Sequence, residues 1–352
     1  MKILHVIPNL QIGGAQRLII DLSIAQKKLG DVVEILTYQC ENTYFEELAK
    51  KRNIKLIYLD IIPDKGHISI IRNLKHKIKN YDVIHVHLFP ALYHVAIATL
   101  GMNKTLVYTE HSTHNRRRDI SILQPVEKFI YNKYQAIVAI SDATKETLSE
   151  WLGAKYAEKI HVISNGVPVQ NEPTSDLSST EKIILMISRF EKAKDQKTVI
   201  DSIPYVKDKN IKFVFAGDGS LLSETKEYAK SKGMDERCEF PGSVLDIDFL
   251  IKKSILGVQS SHWEGFGLTA LEFMKMGVPI IGSDVAGLKD VISDAGIIFP
   301  TQDAKALGNS INKLLEDPNL YEEYKLKGLK RAMDFSIDKT AEKLENLYRS
   351  II

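Results

Sequence analysis

The sequence predicts an α/β protein of two doubly wound domains, each a parallel sheet covered by helices on both faces. Short apolar runs alternate with longer mixed segments along nearly the whole chain. That is the pattern of a parallel sheet whose strands are buried on both sides. The alternation breaks once, at residues 166–181 (GVPVQNEPTSDLSSTE), where prolines and serines replace apolar residues, and then restarts. A polar break of this kind marks a surface connection between domains. The chain has 352 residues, 44% of them apolar and 26% charged, which is enough for two cores.

The first domain takes its strands from KILHVIP, VVEILTY, KLIYL, VIHVH, TLVYTEH, AIVAIS and IHVIS. The second takes them from KIILMIS, KFVFAGDG, CEFPGS, ILGVQS, VPIIGSD and GIIFP. Segments long enough for a helix separate most of them. From about residue 303 the chain reads as helical and polar through to YRSII. The expected division is 1–168, 169–333, and a last helix over 334–352 that returns to the first domain. In open α/β sheets a ligand sits beyond the carboxyl ends of the strands. Two facing sheets then put the expected site in a cleft between them, with closure on the ligand about the 166–181 segment and the late helices.

Bulk properties narrow the function. No apolar run reaches eighteen residues, so no membrane-spanning helix is expected. MKILHVIPNL carries one lysine and a short apolar run that passes into QIGGAQR, a first strand rather than a leader. Cys40 and Cys238 are too few and too far apart for a disulfide framework or a cysteine-built metal site. A reducing cytoplasm fits, with peripheral contact at the inner face of the plasma membrane as a further option. Residues 1–170 hold 22 Lys+Arg against 16 Asp+Glu, and residues 171–352 hold 25 against 29. In the basic half, Arg116, Arg117 and Arg118 stand in a row before an apolar and basic segment. Such a patch suits anionic lipid or phosphate, or else is a solvated loop. No nucleic-acid recognition module is present, so no nucleic-acid partner is expected.

The chemistry concentrates after strands. In SHWEGFGLTALEF, Glu264 and Glu272 flank the turn Gly265-Phe266-Gly267, and a helix starts at Leu268. A helix N-terminus offers free N–H groups to a phosphate, and glycine lets a ligand approach the backbone closely. Carboxylates accept hydrogen bonds from sugar hydroxyls. The two glutamates therefore suit two sugars on either side of a diphosphate. The plainer reading makes Glu264 a partner of the helix dipole and Glu272 a surface residue. In ISRFEKAKDQ, Arg189 and Lys194 follow a strand and could neutralise a diphosphate leaving group. The plainer reading of Arg189 is a surface ion pair. Gly13-Gly14 opens a helix after the first strand but does not form G-x-G-x-x-G, so a dinucleotide fingerprint is absent. His111 closes the strand TLVYTEH, where it can meet a substrate hydroxyl. His85 and His87 share one face of VIHVH, and with His94 or His111 they form at best a weak zinc candidate, lacking Cys or carboxylate at ligand spacing. The Asp246–Asp248 pair has the D-x-D form of metal-dependent sugar transferases, but it precedes a helix and reads better as a cap.

Together these segments resemble the GT-B-fold retaining glycosyltransferases of family four, also called group 1. The likeness covers nearly the whole chain and rests on EGFGLTALE followed by FMKMGVPIIGSDVAG. SRFEKAKDQ, FAGDGS, ISNGV, AISDAT and GGAQR support it. The resemblance implies that Glu272 binds ribose hydroxyls and Glu264 lies by the transferred sugar. It implies that Gly265, Phe266, Gly267 and Leu268 contact sugar and phosphate, and that Arg189 and Lys194 hold the diphosphate. Gly13 and Gly14 close on it, His111 lies near the donor sugar, Val244 sets backbone against the base, and Gly217 lies in the donor-binding half. One departure is Asp195, where many members carry glycine. The implied reaction moves a sugar from a nucleotide diphosphate sugar, with uridine the usual base, to a glycan or polyprenyl-linked sugar of a bacterial surface polysaccharide. It implies no cofactor and no metal for the chemistry. Rivals are a nucleotide-sugar epimerase or glycan phosphorylase of related fold, and a non-catalytic carbohydrate- or lipid-binding relative. The missing glycine fingerprint disfavours a dehydrogenase.

Overall fold

The computed structural model describes residues 1–59, 66–113, 115–169 and 182–352. Of the predicted connection at 166–181, residues 170–181 lie outside the described residues. The chain forms two compact units. The first is Met1–Gly166 together with Ile337–Ile352, and the second is Val167–Ser336.

In the first unit the elements run β1 (Lys2–Val6), α1 (Gly14–Lys28), β2 (Val32–Thr37), α2 (Tyr44–Lys51), β3 (Lys55–Tyr58), α3 (Gly66–Lys77), β4 (Val83–His87), α4 (Ala91–Ala98), β5 (Thr105–Glu110), α5 (Gln124–Tyr131), β6 (Ala136–Ala139), α6 (Asp142–Leu152) and β7 (Ile160–Val162). The strands form one parallel sheet in the order β3-β2-β1-β4-β5-β6-β7. Strand order reverses between β1 and β4, which places the crevice of this sheet beyond Val6 and His87. Buried Ile3, Leu4, Val6, Val83, Ile84 and Val86 fill both faces of the central strands. MKILHVIPNL is therefore a core strand, as its pattern predicts.

The second unit runs β8 (Ile183–Ile187), α7 (Gln196–Ser202), β9 (Lys212–Ala216), α8 (Leu222–Ser231), β10 (Cys238–Gly242), α9 (Ile247–Lys253), β11 (Ser254–Gln259), α10 (Leu268–Lys275), β12 (Ile280–Ser283), α11 (Leu288–Ile292), β13 (Ile297–Phe299), α12 (Ala304–Glu316) and α13 (Pro318–Asp334). Its parallel sheet has the order β10-β9-β8-β11-β12-β13, reversing between β8 and β11. The residues after those two strands are the Arg189–Lys194 loop and the Glu264–Gly267 turn.

The last helix, α14 (Ile337–Ile351), belongs to the first unit and packs on α1. Its buried positions Ile337, Ala341, Leu344 and Tyr348 recur at helical spacing and join a core with Leu18, Leu22 and Val107. Each large apolar side chain buried in this way contributes roughly 1.5–3 kcal/mol, which fixes the end of the chain to the back of the first sheet. No helix among the described residues is long and apolar enough to cross a membrane.

Candidate functional site

In the second unit, Lys194 Nζ donates to Glu264 Oε2 at 2.5 Å, with side chains 17% and 18% exposed. The pairing follows from the sheet. β8 and β11 are neighbours, so the loops that leave them run side by side. Ser260 Oγ ties these loops, donating to the carbonyls of Asp195 at 2.7 Å and Lys194 at 3.1 Å, and His262 N–H donates to the Ala193 carbonyl at 2.8 Å. Gln196 Nε2 holds the start of the loop through the Arg189 carbonyl and Ser188 Oγ. Arg189 itself projects outward, 69% exposed, and among the described residues pairs with its neighbour Glu191 at 2.8 Å.

Asp195 explains why the departure from glycine is tolerated. Its φ of 49° and ψ of 55° lie in the left-handed region, where glycine is easy and aspartate is among the better alternatives. Aspartate offsets the strain by capping α7, accepting from Thr198 N–H at 3.3 Å and Thr198 Oγ1 at 2.6 Å.

Gly267, the N-cap of α10, has φ 96° and, as glycine, brings no capping side chain of its own. Ala270 N–H turns back to the Gly267 carbonyl at 2.9 Å, so the amides of Leu268 and Thr269 are the donors this helix start presents at the end of β11. Phe266 is buried edge-on against Phe335 at 5.5 Å and fixes the turn from beneath. Glu264 Oε1 accepts from Gly265 N–H at 3.2 Å, so Glu264 lies beside the turn rather than capping the helix. Glu272 is not the surface residue of the plainer reading. It is 6% exposed and forms an ion pair with buried Lys275 at 2.5 Å, and Lys275 also meets Asp248 at 3.1 Å. Asp246 caps α9, accepting from Phe249 N–H at 3.0 Å, so the D-x-D pair serves a cap and an ion pair. Val244 is half-buried in the loop between β10 and α9. Gly217 has φ 140°, and a Cβ there would sit 2.0 Å from the Ser188 carbonyl oxygen. Its glycine is demanded by the packing of the two loops.

In the first unit, Gly13 is the N-cap of α1 and Gly14 its first residue. The φ of Gly13 is 178°, open to any residue, and a Cβ would meet only the movable end of Gln16. The local backbone does not require glycine here. His111 follows β5 and lines a cavity of about 390 Å³ with Leu88, Phe89, Glu110, Asn115 and Arg117.

Within the arginine row, Arg117 and Arg118 depart from both expectations. Arg117 Nε lies 3.2 Å from Glu127 Oε1, and Arg118 donates to Glu110 Oε2 at 2.7 Å, with all four side chains largely buried. Arg117 also lies over the Phe89 ring at 4.6 Å. Glu127 further accepts from Tyr93 and Trp151, and Glu110 from Tyr131, each at 2.8 Å. Arg117 and Arg118 are internal counter-ions, because two buried carboxylates need them. They are neither a solvated loop nor a basic surface.

His85 and His87 share one buried face, but their neighbours are not those the sequence pointed to. His94 turns to Tyr38 and His67. The third member is His5, which pairs in register with His85. Ring nitrogens of His5, His85 and His87 lie within 4.8 Å of one another. All six are already engaged, by Gln26, Tyr348, Thr109, His111 or one another. A cation would have to break this network, so the set fits neutral imidazoles better than a metal. Desolvation pushes His5 and His111 down to about 4, and lowers His85 and His87 well below the usual range. His5, Gln26 and Tyr348 are absent from the sequence reading. Their one detectable signal was polar residues at positions whose spacing demanded burial.

Two family profiles divide the chain between them. Residues 12–171 match Glycosyltransferase Family 4, and residues 170–331 match Glycosyl transferases group 1. The chain therefore belongs to the family 4, group 1 glycosyltransferases. It is 25% identical, over 97% of its length and 96% of the relative's, to a Campylobacter jejuni enzyme named GalNAc-alpha-(1->4)-GalNAc-alpha-(1->3)-diNAcBac-PP-undecaprenol alpha-1,4-N-acetyl-D-galactosaminyltransferase. It is 24% identical, over 94% of its length and 89% of the relative's, to UDP-Gal:alpha-D-GlcNAc-diphosphoundecaprenol alpha-1,3-galactosyltransferase of Escherichia coli. The crystal structure of Anabaena HepE in complex with UDP and glucose superposes with a TM-score of 0.87 at 20% identity, covering 99% of this chain and all of that one. The fold is thus GT-B, as the sequence predicts.

Proposed function

We propose that the protein is a retaining glycosyltransferase that takes a sugar from a nucleotide diphosphate sugar, in the first instance a UDP-sugar. The acceptor would be a glycan or polyprenyl-linked sugar of a bacterial surface polysaccharide. The observation that carries this reading is the N-terminus of α10, with the Lys194–Glu264 pair beside it and buried Glu272 just over one turn in. A diphosphate would take the α10 amides together with Lys194 and Arg189. Its arrival would release Glu264 to accept from hydroxyls of the transferred sugar, while Glu272 accepts from the ribose. When the bond from anomeric carbon to phosphate oxygen breaks, charge grows on the diphosphate, where those donors stabilise it. The acceptor hydroxyl oxygen would attack from the face the diphosphate leaves, its proton passing to the departing diphosphate oxygen as the new bond to the anomeric carbon forms. This chemistry needs no divalent ion, and a chelator should leave turnover intact.

The first unit would hold the acceptor, and His111, which lines the 390 Å³ cavity, would lie near the transferred sugar of the donor. The relatives named for diphosphoundecaprenol-linked substrates support a lipid-linked acceptor. An apolar strip of Ile120, Ile122, Val126 and Phe129, each about half exposed or more, with Lys133 over the Phe129 ring, supports contact with an anionic bilayer there. The decisive experiment is a panel of nucleotide sugars tested for protection against thermal unfolding. A positive donor should then release its nucleoside diphosphate only when an acceptor is supplied. No protection by any nucleotide sugar would refute the reading.

A further inference from the structure

A neutral imidazole has one donor nitrogen and one acceptor nitrogen, so a chain of hydrogen-bonded histidines carries a direction. Gln26, on α1, sets that direction. Its Oε1 lies 2.7 Å from His5 Nε2, and its Nε2 lies 3.4 Å from the Tyr348 hydroxyl. The amide oxygen can only accept, so His5 Nε2–H donates and His5 Nδ1 is left with a lone pair. That lone pair faces His87 Nε2 at 3.0 Å, so His87 donates there and keeps its own lone pair on Nδ1. His87 Nδ1 lies 3.2 Å from His111 Nε2, which must therefore carry the proton. The lone pair at the end of the chain is His111 Nδ1, on a residue that lines the cavity. A second arm runs the same way. The Tyr348 hydroxyl accepts from Gln26 and donates to His85 Nδ1 at 2.6 Å, and His85 Nε2–H donates to Thr109 Oγ1 at 2.7 Å.

We propose that Gln26 is a positioning residue: through His5 and His87 it fixes the Nε2–H tautomer of His111 and makes His111 Nδ1 a hydrogen-bond acceptor for a sugar hydroxyl. The second half rests on the reading of His111 as a substrate contact; the first half does not. Burial keeps the rings neutral, since a proton added to any of them would turn an acceptor into a donor facing another donor. Turning the Gln26 amide over would reverse both arms and leave His111 with a donor instead. A sugar hydroxyl that must keep its own proton to donate would then lose its partner. Gln26 lies 85 residues from His111 in sequence, and nothing local links them.

The test is a long-range proton–nitrogen correlation spectrum of the full chain labelled with 15N-histidine, with His111 assigned by loss of its signals in His111→Asn. The expected wild-type result is a proton-bearing Nε2 and a bare Nδ1 on His111. A proton on Nδ1 overturns the proposal. In Gln26→Leu, His111 should become a mixture of tautomers, and Gln26→Glu should restore the single form because the acceptor oxygen returns. A single unchanged tautomer in folded Gln26→Leu overturns it. Tyr348→Phe, which frees the amide to turn, gives the same reading should Gln26→Leu fail to fold. Adding UDP-glucose, UDP-galactose and their N-acetyl counterparts to the wild type should shift the Nδ1 signal for the true donor. A correct tautomer with no shift for any sugar nucleotide leaves the relay standing and removes the substrate contact.

Discussion

Lys194 Nζ and Glu264 Oε2 are 2.5 Å apart, joining the loop after β8 to the turn after β11. The pair neutralises two charges that the proposed substrate would separate. Lys194→Ala should lower donor affinity tenfold or more, because a charge-assisted hydrogen bond to phosphate is worth roughly 1.5–3 kcal/mol. Arg189 makes a useful contrast. It is exposed and among the described residues its ion pair is with Glu191, so Arg189→Ala should leave the unfolding free energy within about 0.5 kcal/mol of wild type. Transfer should still fall at least tenfold. Undiminished turnover in Arg189→Ala would contradict its diphosphate role.

Glu272 should matter twice. It shares Lys275 with Asp248, and Lys275 is only 5% exposed. Glu272→Ala should cost roughly 1–3 kcal/mol, less than a fully orphaned buried charge because Asp248 remains. It should also weaken nucleoside and nucleoside diphosphate alike, as a ribose contact would. Urea unfolding and titration calorimetry separate the two effects. Normal UDP binding in a folded Glu272→Ala would dismiss the ribose contact.

Two glycines with the same expected role should behave in opposite ways. Gly217→Ala drives a Cβ into the Ser188 carbonyl at a φ hostile to side chains, and should destabilise by roughly 2–5 kcal/mol. Gly13→Ala meets only the end of Gln16, so stability should hold while donor binding suffers. Melting temperatures of both variants, with and without donor, decide it. Equal destabilisation would show that Gly13 is a folding glycine.

The architecture was legible because buried parallel strands leave unbroken apolar runs, and every strand named from the sequence forms. The glycine turn and both glutamates were legible as a motif, but their partners were not. Lys194 meets Glu264 across 70 residues of chain, and only the adjacency of β8 and β11 brings them together. Arg117 and Arg118 misled because cations in a row look solvated or anion-binding until Glu127 and Glu110 are seen beside these two. The histidine relay was hidden for the same reason. His5 and Gln26 come from the consecutive β1 and α1, but His85 and His87 lie on β4, His111 follows β5, and Tyr348 lies on the last helix, 322 residues from Gln26.

The histidine cluster gives a pH dependence with a defined sign. Buried His5 has its pKa pushed from 6.5 down to about 4, as has His111, and His85 and His87 move the same way. Above pH 6.5 both folded and unfolded states are neutral, and the cluster adds no slope. Between 6.5 and about 4 the unfolded chain takes up protons that the folded one refuses, so stability falls as pH falls. His5 alone accounts for about 3 kcal/mol across that window. Urea midpoints should drop steeply from pH 6.5 to 5, above the range where carboxylates titrate. A flat profile there would contradict neutral buried histidines.

The most direct measurement of the central claim is a crystal of the protein soaked with UDP. The diphosphate should lie against the amides at Gly267 and Leu268, with Lys194 drawn from Glu264 and Glu272 on the ribose. Density for UDP elsewhere, with the Lys194–Glu264 pair intact and the start of α10 unoccupied at saturating nucleotide, would contradict it.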